Sequence, residues 1–237
     1  MRVVRRYVVA PIEKAVRRFS SVGDSVFFDA ADFDWVSDLE SHWSEIRAEL
    51  DEVLEHPDRV PRVGEIVEKD QKLSADTDWK AYFLCGYGHT FEENTARCPQ
   101  TTRLIERVPG IRTAFFSILA PGQQIPEHRG PYCGLLRYHL GLMIPEPRDG
   151  CGITVAGETR HWDEGKSLMF DDSFRHHAWN NTDSVRAILF IDVVRPLPFP
   201  ISILNEGLIW LIGASSYVKD SKKNLARWNK RAYGESS

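Results

Sequence analysis

Between Asp34 and Glu55 the apolar residues Trp35, Leu39, Trp43, Ile46, Leu50, Val53 and Leu54 recur at steps of three and four. That is the period of one helix with a buried face, and Asp32 or Asp34 stands where its N-cap belongs. From residue 60 to 110 turn formers alternate with short strand candidates. Trp79 to Leu84 is the best of these, and Thr101 to Val108 predicts a short helix stopped by Pro109-Gly110. Beyond residue 111 the period shifts toward two. Arg112 to Leu119, Gly134 to Ile144, Gly152 to Ala156, Lys166 to Phe170 and Val185 to Val194 are apolar or alternating runs, rich in β-branched and aromatic residues. Pro121-Gly122, Pro145 to Gly150, Gly157, Gly165 and Asn180-Asn181 separate them. Short strands at near-regular spacing predict a mainly β protein, a sandwich or double-sheet jelly roll.

Three regions result: an N-terminal basic and helical segment (1–60), a β-rich core (61–200) and a C-terminal tail (201–237). The early helices are expected to buttress one sheet. The tail opens with the most apolar stretch of the chain, Ile201 to Val218, which contains Asn205, Glu206, Ser215 and Ser216. At about 18 residues with a charge inside, it is a poor membrane span.

The 237 residues suffice for one domain with a sizeable core, or at most two small ones. With 42% hydrophobic and 27% charged residues the composition is that of a globular protein. A net charge of -4 excludes a general polyanion binder, and no nucleic-acid partner is expected. Cys85, Cys98, Cys133 and Cys151 form no C-x-x-C pair, which argues against a zinc ribbon or a thioredoxin-type site. They read as small buried hydrophobes, reduced, in a cytoplasmic protein. The basic N-terminus lacks the continuous apolar core and the cleavage site of a secretory signal.

Candidate chemistry lies in the β-rich half. In Gly134 to Leu142, strand alternation turns Arg137 and His139 to one face and Leu136, Tyr138 and Leu140 to the other. A guanidinium and an imidazole on one strand face require a buried partner, a wet cavity or solvent. A hairpin centred near Asn181 would set His176 opposite Arg186, and an arginine inside the run from Val185 to Ile191 is costly without a carboxylate or bound anion. Two such pairs suit iron(II) and 2-oxoglutarate. Imidazole binds the metal, open positions remain for dioxygen, and an arginine fork grips the distal carboxylate of the diacid. The usual facial triad, however, begins His-x-Asp/Glu, and the corresponding segment here is His128-Arg129-Gly130.

Ser117 to Pro196 resembles the aspartyl/asparaginyl β-hydroxylase family. The motifs SILAPGQQIPEHRGP, LRYHLGLMIP, ETRHWDEGKSLMFDDSFRHHAWN and VRAILFIDVVRP occur in order, and a thinner likeness extends upstream through the Trp35–Leu50 helix and Asp78-Trp79. The resemblance implies a double-stranded β-helix (jelly-roll, cupin-like) core and Fe(II)- and 2-oxoglutarate-dependent dioxygenase activity. It also accounts for Gly130, since members use H-x-G with two histidines and no protein carboxylate on iron. It implies that His128 and His176 hold the metal and that Arg186 pairs with 2-oxoglutarate. Ser117, Arg137, His139 and Trp79 would line the co-substrate pocket. The pattern D-D-S-F-x-H selects His176 over His177, and Asp171 and Asp172 read as outer acceptors or turn residues.

The family implies several substrates: aspartyl or asparaginyl side chains (free, carrier-bound or peptidyl) or lipid acyl chains. The basic N-terminus and the tail basics Lys219, Lys222, Lys223, Arg227, Lys230 and Arg231 raise the prospect of peripheral contact with the inner face of a membrane. The alternative is a tail helix packed on the core with a solvated basic end. The competing readings of the whole chain are a non-catalytic cupin-like binding module and another metal-dependent enzyme, such as a lyase or isomerase.

Overall fold

The computed structural model describes residues 9–66 and 77–234. Its core is a double-stranded β-helix of two antiparallel sheets. The strands are β1 (Phe27–Phe28), β2 (Trp79–Gly86), β3 (His89–Thr90), β4 (Ile111–Leu119), β5 (Gln123–His128), β6 (Leu135–Met143), β7 (Cys151–Val155), β8 (Glu158–Arg160), β9 (Ser167–Phe170), β10 (His176–Asn180) and β11 (Arg186–Val194). The larger sheet runs β1-β9-β6-β11-β4-β2-β3 and the smaller β5-β10-β7-β8.

The central strands of the larger sheet are buried on both faces, so β11 is buried at every residue but its last. Ala187, Leu189, Ile191 and Val193 join Leu136, Tyr138, Leu140 and Leu142 of β6 in the main apolar core, with Ile46, Leu50 and Leu104 from the helices. Arg186, Ile188 and Phe190 of β11 alternate onto the inner face, toward the smaller sheet.

The helices are α1 (Ala10–Arg18), α2 (Val36–Ser41), α3 (Trp43–Leu54), α4 (Val63–Ile66), α5 (Glu92–Thr95), α6 (Pro99–Ile105), α7 (Ile201–Gly213) and α8 (Ser216–Tyr233). The single helix expected over Asp34 to Glu55 is broken at His42, whose Nδ1 donates to the Asp38 carbonyl at 2.8 Å. Neither Asp32 nor Asp34 caps it; Trp35 takes the N-cap position without a side-chain bond. Its apolar stripe still packs as one face, because Val36, Leu39, Ile46 and Leu50 all reach the core. The Ile201 to Val218 run is likewise split between α7 and α8. The basic residues Arg2, Arg5 and Arg6 lie outside the described residues.

The second correction concerns the hairpin at Asn181. β10 pairs with β5 and β7, whereas β11 pairs with β4 and β6, so the two strands belong to different sheets. The Asn180–Asp183 turn carries the chain across the sandwich. Asn180, fully buried, donates to the Leu119, Ala120 and Ser184 carbonyls and holds that crossing.

Helix α3 is pinned to α6 by one carboxylate. Buried Glu49 accepts from the backbone N–H of Gln100 (2.7 Å) and of Thr101 (2.8 Å) and from the Thr101 hydroxyl (2.6 Å). It satisfies the open donors at the start of α6 and complements that helix's dipole. Glu49→Ala is expected to lower the unfolding free energy by about 2 kcal/mol, read by chemical denaturation; an unchanged midpoint would contradict the assignment.

Candidate active site

Between the sheets lies a cavity of about 40 Å³ lined by Trp79, Ser117, His128, Arg137, His139 and His176, with Trp162, Phe170, Arg186, Phe190 and aliphatic side chains. All seven residues singled out from the sequence line it. Trp162, Phe170 and Phe190 were not foreseen; their polar or aromatic character is indistinguishable, in sequence, from core packing.

His128 and His176 are direct partners in the β5–β10 register. Directly opposed residues share a face, and their ring centroids lie 4.1 Å apart. A register shift between His176 and Ala178 marks an irregularity there, of the kind that re-aims side chains. His128 Nδ1 donates to the Pro126 carbonyl (2.8 Å) and His176 Nδ1 to the Phe174 carbonyl (2.9 Å). In the neutral form of each ring those bonds leave the lone pair on Nε2, the arrangement that suits a metal ligand. Burial, with Arg137 and His128 nearby, lowers the His176 pKa to about 3 and keeps the ring neutral. His177, the next residue, faces the other side and stacks loosely near Trp179.

Arg186 sits at the far side of the cavity, 1% exposed. Its Nη1 donates to the backbone oxygen and the hydroxyl of Ser117, both at 3.3 Å, and Trp79 Nε1 donates to the same hydroxyl at 2.9 Å. The guanidinium lies 4.9 Å over the Trp162 ring. No carboxylate among the described residues pairs with it. Burial pulls its pKa down to about 10, with only the Cys151 thiol opposing. A buried guanidinium without an acid is costly, and an anionic ligand removes that cost.

Arg137 differs. It holds Asp172 at 2.7 Å and Asp192 at 3.0 Å and lies 4.3 Å over the Phe190 ring. Burial works against its charge and the two carboxylates overcome it, so its pKa rises. Burial pushes the Asp172 carboxyl up, and Arg137 opposes that rise. Arg137 therefore lines the cavity with its charge already committed. His139, between the two arginines, is buried with both ring nitrogens unpartnered, and burial together with Arg137 and Arg186 drives its pKa well down. Arg186 Nε and Trp162 Nε1 are also buried without partners. So many open polar atoms around one cavity call for a polar ligand.

The place left by Gly130 is taken. A Cβ there would run into the Asp172 carboxylate, and the Gly130 N–H donates to the Asp172 backbone oxygen at 2.8 Å. Asp171, next door, is buried against Arg195 (2.6 Å) and Arg17 (2.9 Å). The two aspartates thus serve structural ion pairs. Among the described residues no three His, Cys, Asp or Glu side chains converge as a metal site, which leaves an imidazole pair without a carboxylate. The four cysteines are free thiols, three of them buried.

Fold and site together define a jelly roll with a histidine pair and a buried arginine inside it. Residues 40–196 match the family model described as aspartyl/asparaginyl beta-hydroxylase. A Rhizobium tropici protein named ornithine lipid ester-linked acyl 2-hydroxylase is 40% identical over 228 residues, 96% of this chain and 81% of its own. The aspartyl/asparaginyl beta-hydroxylase of Homo sapiens is 39% identical over 166 residues, 68% of this chain but 21% of its own. A Pseudomonas putida prolyl-4-hydroxylase structure overlaps 70% of this chain and 98% of its own at 16% identity and a TM-score of 0.41, too distant for any conclusion to rest on it. The chain belongs to the aspartyl/asparaginyl β-hydroxylase family.

Gly130→Ala is expected to push Asp172 off Arg137 and to destabilise the fold by about 1–3 kcal/mol. Thermal unfolding reads this; a wild-type midpoint would mean that the close approach is absent.

Proposed function

We propose that the protein is an Fe(II)- and 2-oxoglutarate-dependent dioxygenase that hydroxylates an unactivated C–H bond of a lipid acyl chain. The observation that carries the reading is Arg186, a buried guanidinium with no acid, across one cavity from two imidazoles held in the metal-ready tautomer. The residues fit the groups the family implies. His128 and His176 would hold the metal through Nε2. Arg186, Ser117 and Trp79 would grip and position the distal carboxylate of the diacid, and His139, neutral and unpartnered, can donate one hydrogen bond to it. When bound, iron(II) and 2-oxoglutarate together supply activated dioxygen, with succinate and carbon dioxide as the diacid's products.

The protein's own contribution is placement and exclusion of water. Phe170 and Phe190 pack on His139 at ring distances of 5.0 and 5.2 Å, and Phe190 stacks on Phe115 at 4.1 Å. This apolar wall dries the site and strengthens every charged contact within it. Arg137, neutralised by two aspartates, stiffens the rim without competing for the diacid.

The acyl-chain substrate is favoured over an aspartyl or asparaginyl side chain by extent of likeness. The acyl 2-hydroxylase matches this chain almost end to end, whereas the human β-hydroxylase matches 68% of it. A peripheral position on the inner face of a membrane would accord with such a substrate.

His176→Ala should abolish both iron(II) binding and substrate-triggered succinate formation; unchanged turnover would remove the site. Arg186→Ala should weaken 2-oxoglutarate binding, since loss of one buried charged partner costs about 2–5 kcal/mol, tens- to thousands-fold in affinity. Calorimetric titration of the metal-loaded protein reads it, and equal affinity in the two proteins would show that Arg186 is not the anchor.

A further inference from the structure

Helix α7 is apolar nearly all the way round. Its inner side, with Ile209 and buried Asn205 and with Ile201, Leu208 and Ile212 half-buried, packs on Val16, Tyr132, Cys133 and Leu135. Its outer side is apolar too. Trp210 is 70% exposed, Ile203 61%, Leu211 57% and Leu204 51%, and Phe199 just ahead of the helix is 78% exposed. With Gly207 these positions recur at three- and four-residue steps, one continuous stripe. Phe19, also exposed, follows α1, which packs beside α7; the Ser21 N–H donates to the Pro196 carbonyl (3.0 Å) and holds that end near the start of α7. The sole charge in α7, Glu206, is matched by Arg112 at 2.6 Å. A helix hydrophobic on every side belongs in a core or against lipid, and a contiguous apolar patch of this kind marks an interaction surface.

The charge beside the stripe selects the occupant. The chain carries a net -4, yet α8, which continues from α7, exposes Lys219, Lys223, Arg227 and Arg231 and has Asp220 as its sole acid. Helix α1 exposes Lys14 and Arg18. The two helices that contact α7 thus both expose cations, in a molecule that is negative overall. An apolar face with a basic rim is the signature of a helix lying in a membrane interface, where the apolar side chains enter the acyl boundary and the cations meet anionic headgroups. A second copy of this chain fits poorly, because two basic rims would then oppose each other. Among the described residues no single helix is long and apolar enough to cross a membrane, and α7 and α8 meet that length and composition only as a pair bent by 50°; the 13 residues of α7 alone are too few to span, which suits a helix lying on the surface.

We propose that the outer face of α7, framed by the basic residues of α1 and α8, docks the protein on an anionic lipid surface. The Tyr87 ring lies against Gly213 at the end of α7, its backbone oxygen accepts from Lys222 of α8 (3.1 Å), and its hydroxyl feels the charges of Asp192, Asp172 and Arg137. The inference deepens the acyl-chain reading but stands on independent observations.

Co-sedimentation of the full chain with phosphatidylcholine vesicles, with and without phosphatidylglycerol, tests it. Binding is expected to the mixed vesicles, to be weak on phosphatidylcholine alone, and to fall as salt rises. Trp210→Glu combined with Leu204→Glu should weaken binding about tenfold or more while leaving the unfolding midpoint unchanged, since both side chains are exposed. Lys223→Glu with Arg227→Glu should remove the anionic preference. His176→Ala should bind vesicles as the parent does, which separates docking from chemistry. A parent protein that stays in the supernatant, a Trp210→Glu/Leu204→Glu variant that binds as well as the parent, or a stable dimer that this variant dissociates would each overturn the proposal.

Discussion

A guanidinium sealed inside an apolar sandwich without a carboxylate is the constraint around which the rest of this structure is arranged. Arg186 reaches that position because β11 is buried on both sides: its odd-numbered residues feed the helix-covered core, and its even-numbered ones are driven between the sheets. The molecule compensates the charge only in part, through Ser117 and the Trp162 ring. What remains uncompensated is a standing demand for an anion.

The second arginine of the cavity shows what a settled charge looks like in the same surroundings. Arg137, on the neighbouring strand β6, is largely but not fully covered, and Asp172 and Asp192 close on it and raise its pKa. The contrast assigns different work to chemically identical groups. One is a structural tie that anchors the segment after β9 next to His128; the other is open. Gly130 belongs to the tie. The absence of a side chain there admits Asp172, so the position that carries a metal-binding acid in the usual facial triad instead serves the fold.

Much of this was legible in the chain. The period-two runs from Arg112 onward place β4, β6, β7, β9 and β11 within a residue or so, because half-buried and doubly buried strands leave a strong apolar signature. Arg137 and His139 share a face as alternation requires. The strands β5 and β10 are short and polar and were visible mainly through their histidines. The hairpin reading of Asn180–Asp183 failed for a physical reason: a turn cluster announces a reversal, not whether the reversal stays in one sheet or crosses to another. The Asn180 side chain, bonding across to Leu119 and Ala120, decides that. The break at His42 was equally silent, since the apolar stripe runs through it undisturbed. The motifs gave the histidines and Arg186 by resemblance; the pairing of Arg137 with two aspartates needed coordinates, as its partners lie 35 and 55 positions away in sequence.

An apolar outer face on α7 that would meet lipid accords with a site that would act on an acyl chain. The most direct measurement of the central claim is a crystal structure of the protein soaked without oxygen in iron(II) and 2-oxoglutarate. The expected map shows metal on the Nε2 atoms of His128 and His176, with the distal carboxylate of the diacid on Arg186. Metal bound away from that histidine pair, or a diacid whose distal carboxylate lies elsewhere while Arg186 stays bare, would contradict it.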